Sequence, residues 1–100
     1  MPRYDVTHRA LTDLRDIARY TRETWGQKQA RLYLEELELG IQKLALSPGL
    51  GRVREEVALS VRSFPIARHV AFYAESEGGI TVLRVLHPSM DVGQAFPDKE

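Results

Sequence analysis

The side chains best suited to chemistry are cationic and lie in the second half of the chain. Arg84 stands inside the apolar run of residues 80–87. There a guanidinium must be paired, bound to an anion or threaded to an edge, because an unpaired buried charge carries a large desolvation penalty. Two readings stay open for it: an ion pair with Asp91 or a helix glutamate, or a contact to a ligand, a partner or a phosphate. Arg52, Arg62 and Arg68 precede or occupy the same region, and a meander of strands could bring them with His87 onto one surface, although parity alone does not fix which face each one takes. His87, directly before Pro88, closes the run. An imidazole at such an end can act as a general acid or base near neutral pH, although a lone histidine reads more simply as a structural hydrogen-bonding group.

Other chemistries find little support. His8, His69 and His87 have no metal-ligand spacing, and the chain has no cysteine to assist them or to form a disulfide. Gly49-Leu50-Gly51 resembles part of a phosphate loop, but it follows a helical segment, whereas the dinucleotide fingerprint follows a strand and opens a helix. Serines 47, 60, 63, 76 and 89 sit in no nucleophile elbow. No cofactor is expected.

The elements that must position these residues can be read from periodicity. Tyr4 and Val6 alternate with polar neighbours over residues 3–7, which predicts a short strand. Thr7 is a suitable cap for a helix in which Leu11, Leu14, Ile17, Ala18, Thr21 and Trp25 share a face, with Arg9, Asp13, Asp16, Arg19 and Arg22 toward water. Gly26 ends it. A second helix over 27–47 carries Ala30, Tyr33, Leu34, Leu37, Ile41, Leu44 and Ala45 on one stripe, and the short break predicts an antiparallel hairpin. Pro48 and Gly49 stop helical structure. Residues 61–66, 68–74 and 80–87 are rich in Val, Ile, Phe and Tyr between short breaks, as in an antiparallel meander. In the last of these, strict alternation puts Val82, Arg84 and Leu86 on one face and Leu83 and Val85 on the other, so both faces are partly apolar and the strand is central. Trp25 and Phe72 are expected in the core. Residues 88–100 are expected to form a loop or one helical turn. The fold class is α+β: an N-terminal strand, then a helical hairpin packed on a three- to four-stranded, mainly antiparallel sheet, in one domain spanning residues 1–100.

Composition narrows the partners. Fourteen Lys and Arg balance fourteen Asp and Glu, and residues 1–50 and 51–100 carry formal charges of +1 and −1. No global field attracts nucleic acid or anionic membrane. With no membrane-length apolar run and no signal-like start, a soluble cytoplasmic protein is expected.

The run Arg68-His69-Val70-Ala71-Phe72-Tyr73, then Ile80-Thr81-Val82-Leu83-Arg84-Val85-Leu86-His87, then Met90-Asp91, resembles the C-terminal half of ParE toxins, within the RelE/ParE superfamily. Residues 10–14 with an aspartate in the first helix, Trp25-Gly26 at the hairpin turn, residues 33–37, Pro48 with Gly51-Arg52, and Arg62-Ser63-Phe64-Pro65 agree with it. The resemblance implies a toxin of a type II toxin–antitoxin pair that inhibits DNA gyrase and so blocks replication. It implies neutralisation by a cognate ParD-like antitoxin in a hetero-oligomer, without catalysis, cofactor or sequence-specific nucleic-acid binding by the toxin alone. The antitoxin tail would dock apolar residues between helices and sheet and set acidic ones against Arg52, Arg62 or Arg84. The related RelE branch instead cleaves mRNA on the ribosome, and Arg84 and His87 lie near its catalytic positions. Against that reading, the chain is neutral and Pro88-Ser89 stand where that branch has a tyrosine. Arg52, Arg62, Arg68, Arg84 and His87 are the candidate antitoxin- or target-binding residues.

Overall fold

Thr7 opens the helical half of the molecule. In a computed structural model that describes residues 3–90 and 92–96, its hydroxyl accepts a hydrogen bond from the Ala10 amide at 3.1 Å. That satisfies one of the amides a helix start leaves without a partner. Strand β1 (Arg3–Val6) precedes this cap and helix α1 (His8–Trp25) follows it. Gly26, at φ 98°, then turns the chain at once into α2 (Gln27–Leu46). That positive φ is costly for any residue with a side chain. A 3₁₀ turn (Pro48–Leu50) leads to β2 (Arg52–Val53), then come β3 (Val61–Ile66), β4 (His69–Ser76), β5 (Gly79–Leu86) and the single turn α3 (Val92–Ala95).

The five strands are ordered β1-β5-β4-β3-β2, with β1 parallel to β5 and the other pairings antiparallel. The predicted architecture stands, and β5 is central as expected. The extra strand is β2, whose two residues are too few to leave a periodic signal. Arg68 lies in the β3–β4 turn rather than in the strand predicted for it. The single turn α3 matches the expectation for residues 88–100, of which 91 and 97–100 lie outside the described residues.

The hairpin stripes pack on one sheet face. Ile17, Leu37, Ile41 and Leu44 meet Ile66, Tyr73, Ile80, Val82 and Val85 in one cluster, with Tyr33 and Leu34 at its margin. Tyr73 is fully buried in it. Its hydroxyl accepts from the Gly51 amide at 2.8 Å and donates to the Pro48 carbonyl at 2.7 Å, tying the turn after α2 to the sheet. A Cβ at position 51 would land on that hydroxyl and on the Ser63 carbonyl, so the contact requires glycine. Trp25 departs from its expected core place and is 64% exposed, because α1 ends there and the chain reverses at once without passing over the indole. Phe72 is buried as expected.

The alternation predicted for residues 80–87 fails in the middle. Phe72 pairs with Arg84, but Tyr73 pairs with Val82, so Leu83 is an extra residue in β5. This bulge resets the parity: Val82 and Val85 both enter the hairpin-side core, while Leu83 and Leu86 pack on the opposite face. That second face is covered in part by the chain itself, through Val57 and Ala58 of the β2–β3 connection and Val92, Ala95 and Phe96. Phe96 meets Phe72 edge to face, with ring centroids 5.5 Å apart.

Candidate functional site

Arg84 sits at the bulge and has its partner within the chain. Its Nε and Nη2 donate to Asp13 Oδ2 and Oδ1 at 2.8 and 2.9 Å, and Nη1 donates to the Ala95 carbonyl at 2.9 Å. Asp13 Oδ2 also accepts the Val85 amide at 2.9 Å, and the Thr7 hydroxyl donates to the Leu83 carbonyl at 2.9 Å. β1 pairs with β5 only as far as Val82. Side chains from the start of α1 therefore take over the edge hydrogen bonds that a strand would otherwise make. Of the two readings of Arg84, the ion pair is the one seen, and its partner in α1 is Asp13 rather than a helix glutamate. The amphipathic reading of α1 sets Asp13 toward water, yet the Asp13 and Arg84 side chains are only 11% and 18% exposed. Asp91 lies outside the described residues.

At the far end of β5 an imidazole cluster forms. His69 and His87 meet edge to face, with centroids 5.7 Å apart, and Tyr33 meets His69 in the same manner at 5.6 Å. The Tyr33 hydroxyl accepts the Arg68 amide at 3.0 Å and lies 2.7 Å from His69 Nδ1, so its own proton is free to be donated there. His87 Nδ1 accepts the Ser89 amide at 3.2 Å and lies 2.8 Å from the Ser89 hydroxyl. Burial, and secondarily the neighbouring His87, lower the His69 pKa from 6.5, with Asp13 acting weakly in the opposite sense. His69 was not among the predicted site residues. Its β4 position beside the end of β5, set by the Val70–Leu86 register, is a pairing that sequence periodicity does not supply.

The remaining candidates lie elsewhere. Arg52 is exposed opposite Ser63, and Arg62 donates to the Gly51 carbonyl at 2.8 Å. Beside them Arg54 binds the Ser63 hydroxyl at 2.9 Å, pairs with Glu56 at 2.5 Å and holds its guanidinium carbon 5.3 Å from the Phe72 ring centroid. Hydrogen bonding to Arg54 keeps the Glu56 carboxyl below its usual range, and the Arg52 charge adds to the effect. An open cleft of about 200 Å³ lies here, lined by Arg54, Glu56, Val57, Val92, Gly93 and Phe96. The five predicted site residues thus do not converge. Arg52 and Arg62 share the β2–β3 edge, Arg68 and His87 lie near Tyr33 and His69 at the other end of the sheet, and Arg84 is an internal tie. Among the described residues, no group of three or more His, Asp or Glu is arranged to hold a metal, and no helix is long and apolar enough to cross a membrane.

A helical hairpin laid on one face of a meander, with β1 added in parallel beside β5, defines a small α+β class. A solved structure described as a chromosomal ParDE TA system from P. aeruginosa has this fold, with TM-score 0.74, 21% identity, and coverage of 87% of this chain and 96% of that one. Residues 4–92 match the family model for the ParE toxin of the type II toxin–antitoxin system parDE. Toxin ParE1 of Mycobacterium tuberculosis is 38% identical over 91 residues, covering 90% of this chain and 93% of its own length. Toxin ParE1 of Caulobacter vibrioides is 36% identical over 91 residues, covering 91% and 94%. Toxin ParE of Escherichia coli is 35% identical over 100 residues, covering 99% and 97%. The chain belongs to the ParE toxin family of type II toxin–antitoxin systems.

Proposed function

We propose that this chain, acting as one domain in the cytoplasm, inhibits DNA gyrase and thereby blocks replication, and that a cognate ParD-like antitoxin neutralises it in a hetero-oligomer. The family match over residues 4–92 carries this reading. The chemistry of the two residues nearest the RelE-type catalytic positions supports an inhibitor rather than a nuclease. The Arg84 guanidinium is committed to Asp13 and the Ala95 carbonyl, and His87 Nδ1 is committed to Ser89. A nuclease of this kind needs free cations to meet the charge that develops on phosphate in the transition state. The formal net charge of zero likewise supports a protein target over an RNA one.

For the antitoxin, the β2–β3 edge is the favoured surface. The register sets Arg52 on the sheet face that carries the cleft beside Phe96 and Arg62 on the hairpin side, so an extended segment added along this edge meets a cation on each face and room for an apolar side chain in the cleft. The gyrase reading is tested by a supercoiling assay with purified gyrase and antitoxin-free protein. Loss of supercoiling with accumulation of linear, protein-linked DNA is the expected result, and added antitoxin should reverse it. Unimpaired supercoiling with folded protein refutes this reading; ribosome-dependent mRNA cleavage is then the assay to run.

A further inference from the structure

Helix α2 carries a second apolar seam that its packing on the sheet does not use. Leu32, Leu39 and Leu46 are 44%, 66% and 67% exposed and stand seven residues apart. Seven residues fall about 20° short of two turns, so the three leucines lie within an arc of about 40° along about 21 Å of helix. Leu39 lies about 200° around the axis from Leu37 in one direction and from Ile41 in the other, and these are only 2% and 3% exposed on the opposite stripe. The seam is therefore the outward pole of the helix, and exposed apolar rows of this kind mark association surfaces.

The charges beside the seam identify what covers it. Glu36 and Lys43 flank it on one side, about 40° to 60° from Leu39, while Glu35 and Gln42 flank it equally on the other. Within the helix Glu36 has Leu39 and Gly40 three and four residues ahead and Leu32 and Tyr33 behind, so it has no cation at pairing distance. Lys43 has Leu39 and Gly40 behind and Leu46 and Ser47 ahead, so it has no anion there. A two-fold axis placed at Leu39, perpendicular to the helix, supplies both. It sets Leu39 on Leu39 of a second copy and Leu32 on Leu46, and it brings Glu36 beside Lys43 on one flank, within about 1.5 Å in height. The same operation brings Glu35 beside Gln42 on the other flank. A parallel pairing would instead set Glu36 against Glu35, a like-charge contact that opposes association.

We infer that α2 is a self-association surface, on which a second copy of this chain docks antiparallel through Leu32, Leu39 and Leu46 with Glu36–Lys43 ion pairs across the two-fold. One helix pair buries less than the roughly 1,200 Å² typical of stable complexes, so the dimer is weak and concentration-dependent. The inference rests on α2 alone and is independent of the gyrase reading.

Sedimentation equilibrium on the purified, antitoxin-free chain tests it between about 1 and 500 μM, a range that brackets weak interfaces. The weight-average mass is expected to rise reversibly from 11.4 kDa toward twice that value. Leu39→Glu should hold the chain monomeric without lowering its thermal midpoint, since the side chain is exposed. Lys43→Glu should weaken the dimer about tenfold or more, and the charge swap Glu36→Lys with Lys43→Glu should restore it to within about threefold. A mass of 11.4 kDa throughout overturns the proposal. So does a dimer unaffected by Leu39→Glu, or one that the charge swap fails to restore.

Discussion

Asp13 and Arg84, 71 positions apart, are joined by two hydrogen bonds of 2.8 and 2.9 Å, and the same carboxylate accepts the Val85 amide. This relationship fixes α1 against the central strand at the point where the bulge interrupts the ladder. Arg84 continues the tie to α3 through the Ala95 carbonyl. One ion pair thus holds three elements.

Asp13→Ala should be strongly destabilising. It leaves a mostly buried guanidinium and a strand-edge amide without acceptors, and removing one member of such a pair typically costs about 3 kcal/mol or more. For a chain of this length that is a fall in thermal midpoint of about 10 to 20 °C. Calorimetry on Asp13→Ala, Arg84→Met and the double variant checks it. The double variant should be less destabilised than the sum of the singles, because Arg84→Met removes the orphaned charge. A loss below about 1 kcal/mol for Asp13→Ala would mean that water replaces the carboxylate there.

The hairpin, the meander and the core stripe were legible because each repeats a short-range pattern. Leu37, Ile41 and Leu44 fall at helical spacing, and residues 61–66 form the strand as predicted. The Asp13–Arg84 pair was not legible. Asp13 lies three residues after buried Ala10 and four before buried Ile17, at the margin of the stripe, and the partner it meets there sits at the bulge at Leu83, a one-residue irregularity that leaves no mark in residue type. Trp25 failed for the opposite reason: the phase was right, but the helix ended before anything could cover the ring. Of the candidate site, the residue types were legible and their grouping was not. Whether Arg62 and His87 share a surface depends on sheet register, and the register places them at opposite ends of the meander.

Tyr73→Phe isolates one hydroxyl. The ring stays buried, while the Gly51 amide loses its acceptor and the Pro48 carbonyl loses its donor. The expected cost is about 1 to 3 kcal/mol in urea unfolding with an unchanged slope. A variant as stable as the parent would show that the turn relaxes to water without penalty.

Stability should fall in mildly acidic solution through His69. Its pKa is lowered in the folded state, so the unfolded chain binds the proton more readily. The contribution is fully present above about 6.5 and is lost as pH falls from there through the lower folded value. Urea midpoints measured between about pH 5.5 and 7.5, above the main carboxylate range, should drop toward the acid end. His69→Gln should flatten that slope. An equal slope in the variant would assign the effect to another group.

Antitoxin binding provides the test of the β2–β3 edge. Asp13 and Ala95 already engage the Arg84 guanidinium, so Arg52 and Arg62 are the two candidate arginines whose reversal tests an acidic segment without breaking that tie. Arg52 is exposed, so Arg52→Glu should leave the unfolding midpoint unchanged. Arg62 holds the Gly51 carbonyl, so Arg62→Glu should lower stability modestly as well. Together the two reversals should weaken binding of the cognate antitoxin by about tenfold or more, chiefly by slowing association, and high salt should shrink the difference. Surface plasmon resonance at two ionic strengths separates these effects. Unchanged affinity with both arginines reversed would move the antitoxin to another face of the toxin.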